Sequence, residues 1–481
     1  MKHKIIAIVV ISSIILFLSS SLRHIFFHST ANDLGIFDQS VYLISQGEKP
    51  ISSLLGFHIL ADHAAFIWYP ISLFYRIYPS VYWLFAIQSI ALSLGAYFVY
   101  QLSLQQGLKE KQSLAIAIIY LLYPTIISAN LFDFHPDTIA LPSCFWLVLI
   151  ARQANQSNYK TSLIKFFTAI LIIVSCKAVL SLTVLMTGIW LVFFEKKRIY
   201  GLIAIILGLS WFIISTQFII PYFGSNAASI SRHLTHYSYI GNSFIEIVTN
   251  TFFKPQILIN HVISFSILFY LLSLILPVIW GLSLKYLNPI ICGSPQLLMC
   301  ILSSNKSFYT VGYQYTLPIV TFLFLAVISN IKTQSYCLKN KNIILILVVL
   351  GFLISFNPHI DIGSNIGRDF SSLTYSLQAS DKAVKIINEL DNLRKDGYKG
   401  SVLTTAKIIP HLSHRFIIKL ADENISKDEI GTFDYVLLNT HYPILTSSRE
   451  FAKSLSEELK IDIRYQMFFH ENGILLFVKE I

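Results

Sequence analysis

Apolar runs long enough to cross a bilayer recur along most of this chain, and they exclude most folds before any motif is considered. They lie near residues 5–22, 80–104, 113–130, 138–151, 164–176, 178–194, 200–220, 263–284, 288–303, 315–331 and 342–357. A spanning helix needs about 17–25 apolar residues. The runs are continuous rather than alternating with period two, which argues for helices and against an outer-membrane barrel. Composition agrees: 54% of the 481 residues are hydrophobic and 13% are charged, with a mean hydropathy of +0.62. That balance excludes a soluble globular domain and a disordered chain. The expectation is an all-α polytopic membrane protein of about eleven spans.

The formal charge of +10 is unevenly spread. Residues 1–358 carry 21 Lys and Arg against 9 Asp and Glu, whereas residues 359–481 carry 15 against 17. The positives form no basic stripe interleaved with aromatics, so the charge gives no reason to expect a nucleic-acid partner. They gather in alternate short loops: Lys109 and Lys111; Arg152, Lys160 and Lys165; Lys196, Lys197 and Arg198; Lys285; Lys332, Lys339 and Lys341. The positive-inside bias makes those loops cytoplasmic. The expected placement is a bacterial plasma (inner) membrane with a cytoplasmic N-terminus. The first run follows Met-Lys-His-Lys and lacks a small-x-small cleavage site, so it reads as an uncleaved anchor. Cys144, Cys176, Cys292, Cys300 and Cys337 show no C-x-x-C spacing, and neither a disulfide nor a zinc site is expected.

Two stretches strain the regular count. Ala64 to Pro79 is too short to span and rich in Tyr and Trp, which suggests an interfacial helix on the outer surface. Ile164 to Phe194 has basic residues at both ends and Lys177 in the middle, so it must turn back on itself. About 31 residues of helix cover roughly 46 Å, too little for two full crossings of a core of about 30 Å. Lys177 is therefore expected at a short hairpin near the outer headgroups.

After Asn357-Pro358 the pattern changes. Val384, Ile387, Leu390 and Leu393 mark one face of a helix that ends near Gly397. SVLTT, FIIKL and FDYVLL read as strands, Ser448 to Lys460 as a second helix, and Asn472-Gly473 as a hairpin turn. Residues 1–358 thus read as a multi-span domain and 359–481 as a small extracytoplasmic α/β domain.

The most informative polar residues are three short clusters on the expected outer side: DLGIFDQ at 33–39, ADH at 61–63 and FDFHPD at 132–137. The outer loops that carry them are 23–79 and 130–137. An acid beside lipid must be solvated, paired or bound to a cation. Seven carboxylates and imidazoles in such short stretches point to a site.

These motifs carry a resemblance. NDLGIFDQSVYLISQG, LADHAAFIWYPISLFYRIYPS, YLLYPTIISANLFDFHPDTIALP, and KIIPHLSHR with FDYVLL in the tail resemble a family of polytopic bacterial membrane proteins assigned only as a domain of unknown function. That family is similar to the GT-C glycosyltransferases, multi-span enzymes that take a sugar from a polyprenyl-phosphate donor on the outer side. Such enzymes place a catalytic acid in the loop after the first span. The resemblance implies a GT-C-like fold. It matches Asp33 and Asp38 to the two acids of the opening motif, and Asp62 and His63 to an Asp-His pair. Asp133, His135 and Asp137 match the second acidic loop, and Tyr313 and Tyr315 a His- and Tyr-rich pair before a span. It departs at Lys177-Ala178-Val179, where the family often carries Lys-Glu-Asp; this member would then lack two acids.

Glycosyl transfer from a lipid phosphate needs a base for the attacking hydroxyl and positive charge at the leaving phosphate. Asp33 and Asp133 are the expected catalytic acids. Lys177, Arg76, His63, Asp62, Tyr313 and Tyr315 are the expected substrate and phosphate contacts, with Arg232 a further cation. Asp33, Asp62, His63, Asp133 and His135 have the donor types to hold a divalent metal ion. The expected partners are the bilayer and a polyprenyl-phosphate sugar donor, with the tail binding an acceptor or an envelope protein. Each residue also has a plainer reading. Asp33 suits an N-cap of a helix starting at Leu34, Asp62-His63 a cap of the interfacial helix, and Asp137 a cap of the next span. Asp38 reads as structural, Lys177 suits snorkelling to the headgroups, and His233, His236, His411 and His414 suit solvated or loop positions. The functional alternatives are a transporter or flippase of a lipid-linked or small polar substrate, and a non-catalytic membrane assembly protein. Transporters favour ionisable residues near the midplane, and no acid falls inside an expected span.

Overall fold

The computed structural model describes residues 2–155, 158–224, 234–332, 338, 341–355, 370–395, 397–443 and 447–480. Arg232, His233, Cys337, Lys339 and the expected boundary at Asn357-Pro358 lie outside the described residues. The chain divides into two compact units. One comprises 1–19, 60–67 and 85–362; the other comprises 20–59, 68–84 and 363–481.

The first unit is helical. Among the described residues five helices are long and apolar enough to cross a membrane: His3–Ile25, Tyr82–Gln105, Tyr159–Cys176, Arg198–Gly224 and Gln314–Ile331, the first two with a few residues assigned to the second unit. Two bent pairs raise the number to seven: Glu110–Leu121 with Pro124–Leu131, at 42°, and Gln256–Val262 with Phe265–Gly281, at 63°. The sequence reading of about eleven exceeds this, for local reasons. Leu180–Phe193 has 14 residues and Ile290–Leu302 has 13, about 20 Å of helix against a core of about 30 Å. Pro142 and Pro295 lie inside their helices. The expected turn near Lys177 is present: one helix ends at Cys176 and the next begins at Leu180. Leu180–Phe193 then packs on Arg198–Ile214 by backbone contact. A Cβ at Gly188 would stand 2.6 Å from the Gly201 carbonyl, and one at Gly208 2.6 Å from that of Ser181, so only glycine permits this approach. Cys144, Cys176, Cys292 and Cys300 are free and buried.

The second unit is an α/β domain around a five-stranded sheet. In sheet order the strands are Ile418–Leu420, Val402–Thr404, Tyr435–Asn439, Ile474–Lys479 and Tyr465–Glu471. The first three are parallel and the last two pair antiparallel. The hairpin falls where Asn-Gly placed it. Asn472 (φ 49°) and Gly473 (φ 76°) are both left-handed, the geometry whose twist suits a two-residue turn. Helix Arg449–Ile461 is capped by Ser448, whose hydroxyl accepts the Phe451 N–H at 3.1 Å. Its Leu455 and Leu459 cover one sheet face with Leu403, Val436, Leu438 and Phe477. Helix Phe370–Leu393 covers the other through Ala379, Ala383, Val384 and Ile387. Leu393, expected on that face, is 78% exposed at the helix end.

The opening loop enters this second core. Phe27 and Ala31 are buried with the sheet residues Val402, Leu437 and Leu476. Gly35 of the DLG triplet makes the approach possible, because a Cβ there would meet Ile409 Cγ2 at 2.7 Å. Helix Trp68–Ile77 buries Trp68, Ile71 and Tyr75 while exposing Leu73 and Phe74. Apolar residues on both faces fit a helix lying at a lipid interface, as the sequence suggested.

Candidate active site

Within the first unit, the break at Lys177 organises the polar residues. Lys177 adopts extended backbone (φ −156°, ψ 143°) as the C-cap of Tyr159–Cys176. The segment 60–67 lies against this break. Ala178 N–H donates to the His63 carbonyl at 2.8 Å, and Ile67 N–H donates to the Ser175 carbonyl at 3.0 Å. His63 ends the one-turn helix Leu60–His63, and its Nε2 is 3.2 Å from Asp62 Oδ2. The next residue, Ala64, is fully buried with φ 50°, a conformation that costs a residue with a Cβ about 1–2 kcal/mol. Ala64 packs on Ala178 and Ile220. The position where an acid was expected from the resemblance therefore holds a methyl in an apolar contact.

The Lys177 side chain does not snorkel. It is buried, with Nζ 2.6 Å from Asp137 Oδ2 and 5.5 Å from the centroid of the Tyr315 ring. Asp137 is itself 3% exposed and begins helix Asp137–Gln153, where the helix dipole favours a negative charge. It does not cap that helix: Pro136 occupies the N-cap, and no side-chain cap bond forms. The carboxylate of Asp137 is spent on the lysine. Oδ2 has no aligned hydrogen-bond donor among the described residues despite the short ion contact.

FDFHPD forms the link into that helix. His135 N–H donates to Gln88 Oε1 at 3.1 Å, and the Thr138 hydroxyl donates to the His135 carbonyl at 2.7 Å. His135 Nδ1 lies 3.1 Å from the Asp133 carbonyl, and both residues are 1% exposed. Phe132 stacks on His135 with centroids 5.4 Å apart and meets Tyr313 edge-on at 4.7 Å. Tyr315 stacks on Phe308 at 4.2 Å. Between the two tyrosines, Gln314 Oε1 is buried without a hydrogen-bond partner among the described residues. Such an orphaned acceptor calls for a water or ligand donor.

Named contacts thus join Lys177, Asp137 and Tyr315; FDFHPD and Tyr313; and His63 with Ala178. Arg76 and Asp33 belong to the second unit. Arg76 is exposed in the last turn of Trp68–Ile77. Asp33 is half-buried in the first turn of a helix that starts at Ala31, so it is not that helix's cap; Thr30 holds the position. Among the described residues no three of His, Cys, Asp and Glu stand where they could hold one metal ion.

The second unit holds a polar centre that sequence reasoning passed over. Asp38 is 1% exposed and accepts hydrogen bonds from the Tyr75 hydroxyl at 2.5 Å and from the Ser413 hydroxyl. His414 Nε2 lies 3.1 Å from Oδ1 and 3.0 Å from Oδ2. Burial pushes the Asp38 carboxyl up, but the His414 charge and the three hydrogen bonds outweigh it and hold the carboxyl below its ordinary range. Burial and the Asp38 charge push the Tyr75 phenol well up. Beside Asp38, Gln39 Nε2 donates to the Arg415 and Phe416 carbonyls, both at 3.2 Å. Arg415, 1% exposed, donates to the Leu412 and Gly400 carbonyls and lies 3.4 Å from Asp391. DLGIFDQ and KIIPHLSHR therefore meet in space. Their joint membership of one resemblance was the only sequence signal for this.

A model of the family described as Predicted membrane protein (DUF2079) matches residues 23–476. No curated protein sequence matches the chain. The crystal structure of ArnT from Cupriavidus metallidurans bound to undecaprenyl phosphate aligns with a TM-score of 0.56 and 8% identity, over 99% of this chain and 98% of that one. The apo structure of the same protein aligns with a TM-score of 0.44 and 10% identity, over 96% and 97%. The chain thus shares the fold of ArnT.

Proposed function

The chain belongs to the predicted membrane protein family DUF2079, and from that premise we propose that it is a membrane glycosyltransferase. It moves a sugar from a polyprenyl-phosphate donor to an envelope acceptor on the outer face of the inner membrane. The N-terminus is cytoplasmic and the α/β domain extracytoplasmic. The observation that carries this reading is the buried Lys177–Asp137 pair at a helix break, 2.6 Å apart, in a chain with the fold of a protein crystallised with undecaprenyl phosphate. A buried ion pair is a poor means of stabilising a fold, since desolvation offsets its attraction. Ionisable groups among apolar helices mark functional sites far more often.

An ammonium carries three donors, and Asp137 accounts for one. In this reading the remaining donors of Lys177 meet the donor phosphate and stabilise the charge that grows on it as the anomeric bond breaks. Tyr313, Tyr315 and the Asp62-His63 pair bound the same site, and the Gln314 amide oxygen awaits a donor there. The base is one of two acids. Asp33 is half-buried; Asp133, at 1% exposure, serves only a substrate that enters beside it.

The test is mass spectrometry of lipid-linked sugars and envelope glycans in a strain lacking this gene, complemented with wild type, Lys177→Ala, Asp33→Asn or Asp133→Asn. The expected result is accumulation of one lipid-linked sugar and loss of one glycan modification, restored by wild type and not by Lys177→Ala. The Asn variant that fails to restore it identifies the base. Unchanged lipid-linked sugars and glycans in the deletion strain would refute the reading.

A further inference from the structure

The Asp38 centre of the second unit has an outward side that the reading above leaves unused. A carboxylate can only accept, so the His414 nitrogen facing Asp38 carries a hydrogen and Nδ1 is the nitrogen left on the other side of the ring. No group among the described residues bonds Nδ1, and it is not among the buried unpartnered atoms. The His414 side chain is 20% exposed. A buried acid, itself fixed by Tyr75 and Ser413, therefore holds an imidazole in one orientation with its second nitrogen open to a ligand. Preorganisation of this kind lowers the entropic cost of binding.

The surroundings of that nitrogen supply the other elements of a polar recognition site. The His414 ring stacks on Tyr42, centroids 4.9 Å apart at 6°. The Lys399 ammonium lies 5.8 Å from the centroid of the same Tyr42 ring. Tyr398, next to Lys399 in the chain, is 61% exposed and tilts against Phe416, 5.7 Å away. Phe416 is two residues from His414 and also exposed. Exposed aromatic faces, an imidazole nitrogen and a cation thus come from two chain segments, 398–399 and 414–416, both in contact with Tyr42.

We infer that these residues form a subsite for a hydroxyl-bearing, anionic glycan. His414 Nδ1 hydrogen-bonds a ring hydroxyl, Lys399 meets an acidic substituent, and Tyr398 and Phe416 cover an apolar C–H face. Sugars suit the site because one edge of the ring is polar and its faces are not, which matches amphipathic aromatic side chains. The assignment rests on the transferase reading in that it names the class of acceptor.

The test uses the full-length protein in nanodiscs and two soluble probes, trigalacturonic acid and the neutral trisaccharide maltotriose, with binding followed by calorimetry and saturation-transfer NMR. Saturable binding is expected for the acidic probe and at least tenfold weaker binding for maltotriose. His414→Ala should weaken the acidic probe at least tenfold, with partial recovery in His414→Gln, whose amide can again hydrogen-bond a hydroxyl. Lys399→Met changes an exposed side chain and leaves the Asp38 centre intact; it should erase the preference for the acidic probe. Absence of saturable binding, or binding that survives both His414→Ala and Lys399→Met, overturns the inference. Sugar transfer that persists without glycan binding sinks this subsite alone. His414-dependent binding in a protein with no transferase activity sinks the transferase reading and leaves the subsite as a binding function.

Discussion

Asp38→Asn is the most informative single substitution, because its effect can be worked from contacts. The carboxylate receives three donors, from Tyr75, Ser413 and His414. Asparagine keeps one oxygen and replaces the other with an amino group. The least costly arrangement turns the oxygen toward Tyr75 and His414 and the amino group toward Ser413. Ser413 can then accept, since its hydroxyl already has a second acceptor in the Pro410 carbonyl at 3.2 Å. Every bond then survives but loses its charge, and the difference between a charged and a neutral hydrogen bond is about 1 kcal/mol. Three such losses, less the smaller desolvation cost of a neutral amide, leave about 2–3 kcal/mol. At about 1.4 kcal/mol per tenfold, the opening equilibrium of the 409–420 segment should rise about thirty- to a hundredfold. Hydrogen exchange by mass spectrometry on the full-length protein in nanodiscs reads this directly. Asp38→Ala, which removes the acceptor of Tyr75 and His414 and leaves Ser413 only the Pro410 carbonyl, should open the segment further. The reasoning fails if Asp38→Asn changes exchange of 409–420 less than about threefold, or if Asn and Ala act alike. A pH series adds a check of sign. Because the folded carboxyl is held below its ordinary value of 3.8, its contribution is complete above that value and lost only as pH falls through the depressed folded value. The difference between the wild type and the Asn variant should therefore persist at pH 5.

Other consequences are independent of this one. Burial pushes His411 from 6.5 down to about 3, so its contribution is full above pH 6.5 and declines below it by about 1.4 kcal/mol per pH unit. Between pH 7 and pH 5 this is a loss of about 2 kcal/mol, and His411→Phe, which preserves the stack on Phe27 at 3.8 Å, should flatten that slope in exchange measurements. Lys177→Ala leaves the Asp137 carboxylate buried and unpaired, at a cost of about 3–5 kcal/mol. The double variant Lys177→Met, Asp137→Leu should recover the thermal stability without recovering sugar transfer, and equal stability of single and double variants would show that the pair carries no such strain. Ala64→Gly relieves the φ of 50° and should be neutral or up to about 1 kcal/mol stabilising in thermal unfolding, whereas Ala64→Val should destabilise by overfilling a fully buried position.

Periodicity alone carried much of the architecture. The helix break at Lys177 follows from a length that cannot cross twice. The tail strands and the Asn472-Gly473 hairpin follow from local pattern and turn chemistry, which depend on near neighbours. The span count did not follow, because hydropathy sees composition and not where Pro142, Pro295 or a 14-residue helix shortens a segment. Among site residues, the acidic motifs were legible as costly groups in an apolar chain, but their roles were not. Asp137 read as a cap and proved to be the partner of Lys177, 40 residues away. Asp38 read as structural, and His414 as part of a loop, yet the two meet across 376 positions.

The sequence by itself determined that this chain is a helical membrane protein with an α/β tail, and it singled out three short acidic motifs as the costliest polar groups in it. Those conclusions rest on transfer free energies and on periods of 3.6 and 2, all properties of residues and their close neighbours. Only the tertiary structure decided which charges pair. A buried carboxylate must find a donor, and which donor reaches it depends on how distant segments pack. Thus Lys177 went to Asp137, His414 to Asp38, and the opening loop into the core of the tail.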